Sequence, residues 1–530
     1  MPPSNSDDSH LDQSAWRWAH AMTGVAPVSA SAAAAFAASQ RTIQAGADAA
    51  TRVLDWQQAL APIGKLLQPA VAGAAIGPAP AAMANGRASS ADAVRRACAA
   101  AETSAAFVLR RTAAALAAAE ALDAETVARP LHGLTYARKD MFCRAGEPMA
   151  CGSRILQGFV PAHTATVLER LDAAGAIDTG ALHMAEFAMS PTGFNAHLGH
   201  GHNPWSAAHI SGGSSSGSGM AVGAGVVGAA LGSDTGGSVR LPAAICGVTG
   251  LKPTQHLVSV HGVMPLAPSL DCVGFLAPSA WDCARLLTAV SGPDPRDPAC
   301  LDRPAQDYSA GLGAALAGWA EVAVPVLPSD APLSDEVREL FNGVVAQLRT
   351  QGARIHPVDL PDLNELGLLC TLVLGAEAAS MHQPWLAARP RDYGEQVRRR
   401  IERGLLLPAS RYVDALRLRP VLLQRFLAQC LPNGTQALLL PALPQAVPTI
   451  AETTTGSEDE IERRFGQLSY WTRAINYLGL PALALPAGFT ANGLPNGMQL
   501  VGRPCGEAAL LRIGHQYQQA TDWHRRRPTL

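Results

Sequence analysis

Lysine is almost missing from this chain. Three are present, Lys65, Lys139 and Lys252, and the other 38 of the 41 basic side chains are arginine. Arginine serves wherever only positive charge or solubility matters. It cannot serve where a group must lose its proton near neutral pH, because the guanidinium stays protonated in proteins. GC-rich codon usage accounts for the scarcity and for Lys65 as a survivor; it leaves Lys139 and Lys252 to be placed. Paired cysteine motifs are absent too. The ten cysteines, from Cys98 to Cys505, contain no CxxC, and their spacing suits neither a zinc site nor a disulfide framework. They read as reduced thiols of a cytoplasmic protein. Net charge is only -2, which points to no nucleic-acid or membrane partner. The apolar run from Met220 to Leu231 is too short and too glycine-rich to span a bilayer. The opening "MPPSNSDDSHLDQS" is acidic and polar, unlike a signal peptide.

What is present is an ordinary globular balance, 48% hydrophobic and 16% charged, over 530 residues. From about 12 to 125 the chain is alanine-rich with helical periodicity, broken by "GPAPAAMANG" at 77–86. From about 130, short apolar strands alternate with helices, which predicts an α/β sheet covered by helices. "LTYARKDM", "IDTGAL", "LLLPALP" and "LPALALPAG" read as strands, and residues 330–430 as mainly helical. The expected domains are an N-terminal α-helical extension over 1–88 and an α/β domain over 89–530.

The most informative stretch is "SGGSSSGSGMAVGAGVVGAALGSDTGGSVRLPAAICG", residues 211–247. "GSSSG" fits the GxSxG nucleophile elbow, but no buried strand precedes it. "GAGVVG" fits GxGxxG, but it follows a helix-like run and lacks the acidic residue after a second strand. A better reading is helix, short strand, tight turn and second helix, with Ser238 where the turn enters the helix. The backbone N–H groups of Thr235, Gly236, Gly237 and Ser238 then converge on an anion, as in an oxyanion hole.

Here the chain resembles the amidase signature family. Residues 232–254, "GSDTGGSVRLPAAICGVTGLKPT", match that family's long signature, and "GGSSSGS" matches its first glycine–serine cluster. "HGLTYARKDMF" matches its lysine segment, with Thr135 in place of a proline. The likeness continues through "MAEFAMSPTGFN", "NPW", "PSLDCVG", "RRRIERG", "YVDALRLR" and "GMQLVG", covering roughly 90–525. It implies a mixed central β-sheet with helices on both faces and a Ser-Ser-Lys triad needing no metal or cofactor. Ser238 is then the nucleophile, Ser214, held by a cis peptide, the relay, and Lys139, neutral in the free enzyme, the base. A serine needs a positioned base, and lysine can be one only if burial draws its proton affinity down. Lys252, Asp140, Asp234, Arg240, Ser215, Ser216, Glu186 and Asn195 read as structural. His197, His200 and His202 lie in a loop that already fits the family without metal.

The expected function is hydrolysis of a small amide. The apolar or small residues around Met141 to Cys151 and over 300–450 favour an uncharged aryl or alkyl amide. The alternatives are a carbamate or ester hydrolase with the same triad, the A subunit of a glutamine amidotransferase, working in a complex on charged transfer RNA, and an inactive scaffold. Homo-oligomerisation through the N-terminal helices is left open.

Overall fold

The computed structural model describes residues 89–327 and 331–528. The helical extension expected over 1–88 lies outside the described residues. Helices α1 (Ser90–Glu102) and α2 (Thr112–Asp123) open the described chain. Between them, where the alanine-rich pattern predicts continuous helix, lies strand β1 (Phe107–Arg110). Its Phe-Val-Leu run suits a pleated, half-buried edge. It pairs antiparallel with β3 (Ile177–Leu182), which overrides the helical periodicity of its flanks.

The strands β2 (Thr135–Lys139), β6 (Ala229–Ser233), β7 (Thr249–Lys252), β8 (Val273–Ala277), β9 (Glu321–Pro325), β10 (Arg354–Val358), β11 (Ala437–Pro441), β12 (Ala482–Phe489) and β13 (Pro495–Val501) join β1 and β3 in one sheet. The order is β1-β3-β2-β6-β8-β7-β12-β13-β11-β9-β10. β4 (His202–Asn203) and β5 (Ser206–Ile210) form a separate hairpin. The sheet is mixed: β2 runs parallel to β3 and β6, while β6, β8, β7, β12 and β13 alternate. Every residue of β2, β3, β6, β7, β8, β11 and β13 is buried, as a sheet covered on both faces requires.

The cover comes from α3 (Thr166–Ala173), α4 (Ser216–Gly223), α5 (Arg240–Cys246), α6 (Ala280–Val290), α7 (Asp335–Thr350) and α14 (Glu507–Gln519). α5 lies unusually close to the strands. A Cβ on Gly250 of β7 would stand 2.6 Å from Ala243 Cβ, and one on Gly497 of β13 would stand 2.7 Å from Ala244 Cβ. The two glycines therefore sink α5, and the turn that leads into it, towards the sheet.

A helical layer stands beyond the turn: α8 (Leu363–Ala388), α9 (Glu395–Gly404), α10 (Ala409–Cys430), α11 (Ile450–Thr454), α12 (Glu458–Leu468) and α13 (Tyr470–Tyr477). By length and composition α8 could cross a membrane. Here it packs against α9, α10 and α13, and its buried Glu377 accepts hydrogen bonds from Ser269 N–H and the Tyr412 hydroxyl.

Candidate active site

Lys139 ends β2 and Ser233 ends β6. The parallel pairing of these strands brings their carboxyl ends side by side. Lys139 is fully buried, and its Nζ lies 2.7 Å from Ser214 Oγ and 2.8 Å from Ser233 Oγ. Burial draws its proton affinity down to about 7, against the opposing pull of the Asp271 and Asp234 carboxylates. An amine so placed is largely unprotonated just above neutrality. The sequence does not single out Ser233, because its neighbour is 94 residues away and only strand pairing joins them.

Ser214 follows a cis peptide bond from Gly213. Its carbonyl accepts from Ala185 N–H at 3.1 Å. The serines after it fasten the loop to the sheet. Ser215 Oγ accepts from Ser233 N–H and donates to Ser233 O, both at 3.3 Å, and Ser218 Oγ donates to Leu231 O at 2.8 Å. Ser216 Oγ lies 2.8 Å from His183 Nδ1. Ser215 N–H also donates to Ser238 O at 3.3 Å, so the two glycine–serine turns meet through the backbone.

The turn carrying Ser238 is built around Asp234. Its carboxylate accepts from the N–H groups of Gly237 (2.8 Å), Val239 (3.1 Å) and Arg240 (3.3 Å), and from Arg240 Nε (3.1 Å) and Nη2 (3.0 Å). Burial opposes its charge, but the Arg240 guanidinium and the Asn476 amide hold the carboxyl well below the usual carboxylate range. Of the four N–H groups expected to face an oxyanion, one already has a protein acceptor. The Gly237 N–H is spent on Asp234, because the carboxylate reaches back three residues to close the turn. The N–H groups of Thr235, Gly236 and Ser238 have no protein acceptor among the described residues. Gly237 has φ +132°, and a Cβ there would meet Thr472 Oγ1 at 2.4 Å. Thr472 and Asn476, both on α13, grip the turn from outside through Gly236 O (2.7 Å) and Asp234 O (3.0 Å).

Ser238, Thr235 and Gly236 line a cavity of about 580 Å³. No protein group accepts from or donates to Ser238 Oγ among the described residues, which leaves it free to turn towards a substrate. The rest of the cavity is mixed, with Leu241, Leu266 and Phe465 beside polar and charged side chains. α8 contributes Asn364, Thr371 and Leu374, but α9 and α13 contribute Arg400, Arg403 and Arg473. Met141 instead lines a separate, smaller cavity of about 210 Å³ with Ser233, Met264 and Met381. Nothing in the sequence marks these arginines as site residues, because two are among many in "RRRIERG" and one sits in a short helix far along the chain from Ser238.

The remaining candidates have local work. Lys252 Nζ donates to Pro253 O at 2.9 Å. Asp140 accepts from Ala150 N–H at 3.2 Å, and burial raises its carboxyl to about 7. Asn195 ties Gly152 O to Met184 O (2.8 and 2.9 Å). Glu186 accepts from Ser153 Oγ (2.6 Å) and Gly394 N–H (2.9 Å) and lies 3.0 Å from His197 Nε2. His200 packs on Phe194, and His202 Nδ1 lies 2.8 Å from Ala207 O, so the three histidines face different partners.

Residues 91–511 match the family model described as Amidase. The chain belongs to the amidase family. It is a hydrolase acting on amide C–N bonds. It is 39% identical over 433 residues to the A subunit of the glutamyl-tRNA(Gln) amidotransferase from Azoarcus sp. (strain BH72), covering 77% of this chain and 88% of that one. A solved structure described as a vestigial protein complex revealing the origins of an s-triazine catabolic enzyme superposes with TM-score 0.75 at 31% identity, over 82% of this chain and 95% of that one. The corresponding amidotransferase chain from Thermotoga maritima gives TM-score 0.64 at 31% identity, over 80% and 89%.

Proposed function

We propose that this amidase cleaves a small carboxamide through an acyl-enzyme on Ser238, with Lys139 as base and Ser214 as relay. The observation that carries the proposal is the buried Lys139 amine, drawn down to about 7 and 2.7 Å from Ser214 Oγ. Ser238 Oγ attacks the carbonyl carbon. Its proton passes to Ser214 Oγ while the Ser214 proton passes to Lys139 Nζ. Negative charge on the carbonyl oxygen is met by the free N–H groups of Thr235, Gly236 and Ser238. The proton returns along the same path to the nitrogen as the C–N bond breaks, so the amine leaves neutral. Water then attacks the ester on Ser238, gives its proton to the same relay, and the relay restores the serine hydroxyl.

Of the substrate readings, an uncharged aryl or alkyl amide has less support than a glutamine-type amide. The relative from Azoarcus is named as part of an amidotransferase, and the wall of the Ser238 cavity carries arginines. The amidotransferase reading also implies partner chains. The test is ammonia release from glutamine, asparagine and uncharged aryl and alkyl carboxamides, and acid release from matched esters and carbamates, with and without candidate partner chains. Release from glutamine-type amides above the uncharged ones is expected; faster cleavage of the esters or carbamates would move the activity to those bonds.

A further inference from the structure

Arg473 follows Thr472, the residue whose hydroxyl holds Gly236 O at 2.7 Å. Its stem runs along the nucleophile turn: a Cβ added to Gly236 would stand 3.6 Å from Arg473 Cγ. Arg473 is among the residues that line the cavity that Ser238 lines. Thr371 Oγ1 accepts from Nη1 at 2.9 Å and Gly466 O accepts from Nη2 at 3.1 Å, which fixes the plane of the group. Two of five N–H groups are thus engaged. Nε is buried without a hydrogen-bond partner.

Two other cations on this wall are neutralised by protein carboxylates. Arg400 pairs with Glu462 at 3.1 Å, and Arg403 with Glu458 at 2.8 Å. Arg473 has no carboxylate within ion-pair distance among the described residues. Four arginines line the cavity, Arg463 included, against the carboxylates of Asp459 and Glu462. A guanidinium withdrawn from water without a counter-charge is costly, and the cost is offset when an anion arrives. Its planar fork matches a carboxylate better than an ammonium would.

We infer that Arg473 seats a carboxylate of the substrate, so that the amide cleaved belongs to a small carboxamide bearing a carboxylate a short spacer away. The inference rests on the acyl-enzyme reading above and adds the charge of the substrate and the residue that selects it.

The test compares kcat/KM for succinamate and butyramide, which share a chain length and differ in the carboxylate, and for glutaramate and pentanamide, one methylene longer. The wild type should prefer a carboxylate-bearing member by about ten-fold or more, as loss of a charged hydrogen bond implies. Arg473→Gln should lower kcat/KM for the acids more than for the neutral amides, chiefly through KM, and Arg473→Lys should restore part of the difference. The labelling rate of Ser238 by an uncharged fluorophosphonate checks that Arg473→Gln keeps an intact site. If it does not, the wild-type substrate pairs and Arg473→Lys decide. No wild-type preference in either pair, or an equal loss on acids and neutral amides in the intact variant, would overturn the inference. Failure of the acyl-enzyme reading looks different: no fluorophosphonate on wild-type Ser238 and no cleavage of any amide.

Discussion

At the level of single residues, the chain reserves its rare lysine for a place where arginine cannot work. Lys139 lies in a fully buried position, with only hydroxyls in hydrogen-bond reach of its amine. Lys139→Ala should lower kcat/KM by about 10²–10⁴-fold, the usual contribution of a positioned base. Lys139→Arg should fail as badly despite keeping the charge; steady-state kinetics on the best amide checks both. Because the folded amine titrates at about 7, kcat/KM should rise with pH through that value. Asp140 is also raised to about 7 by burial, so Asp140→Asn is the control. The limb should survive it, and its loss would assign the limb to Asp140. The same amine affects stability. Its folded proton affinity lies below the unfolded value of 10.5, so the unfolded chain binds the extra proton between about 7 and 10.5. The Lys139 contribution to stability therefore increases with pH across that window and is flat below it.

Among the elements, the site depends on how two turns are held. The Asp234 carboxylate organises the turn carrying Ser238 from inside, and α13 grips it from outside through Thr472 and Asn476. Gly237 is where the two grips meet. Gly237→Ala would place a Cβ 2.4 Å from Thr472 Oγ1 in a backbone region side chains rarely adopt. The expected result is a folded protein with strongly reduced kcat, seen as near-wild-type circular dichroism beside lost turnover. What is legible in the sequence follows the same division. Ser214, Ser238 and Lys139 lie in local runs whose residue types announce them, and the helix, strand and turn around Ser238 are readable from their order. Ser233 and Arg473 are not, since each reaches the site through pairing or packing with distant chain. The bond from Gly237 N–H to Asp234 is equally hidden, because it depends on where one carboxylate points. β1 is hidden because alanine-rich neighbours mask four residues whose fate is set by the edge of β3.

Across the whole molecule, β1, α1 and α2 finish the edge beside β3 among the described residues, and the family match begins at residue 91. A chain starting at residue 89 should keep amide hydrolysis within a few-fold of the full-length protein, and size-exclusion chromatography of both will show whether the missing segment governs association. A long covering layer, α8 to α13, brings arginines from distant segments to the cavity that Ser238 lines. All of this chemistry hinges on the acyl-enzyme on Ser238. Rapid quenching during turnover of an activated amide, followed by peptide mass mapping, looks for that species itself. One acyl group on the peptide containing Ser238 is expected, with neither adduct nor turnover in Ser238→Ala. An adduct on another residue, or turnover in Ser238→Ala, would refute the acyl-enzyme.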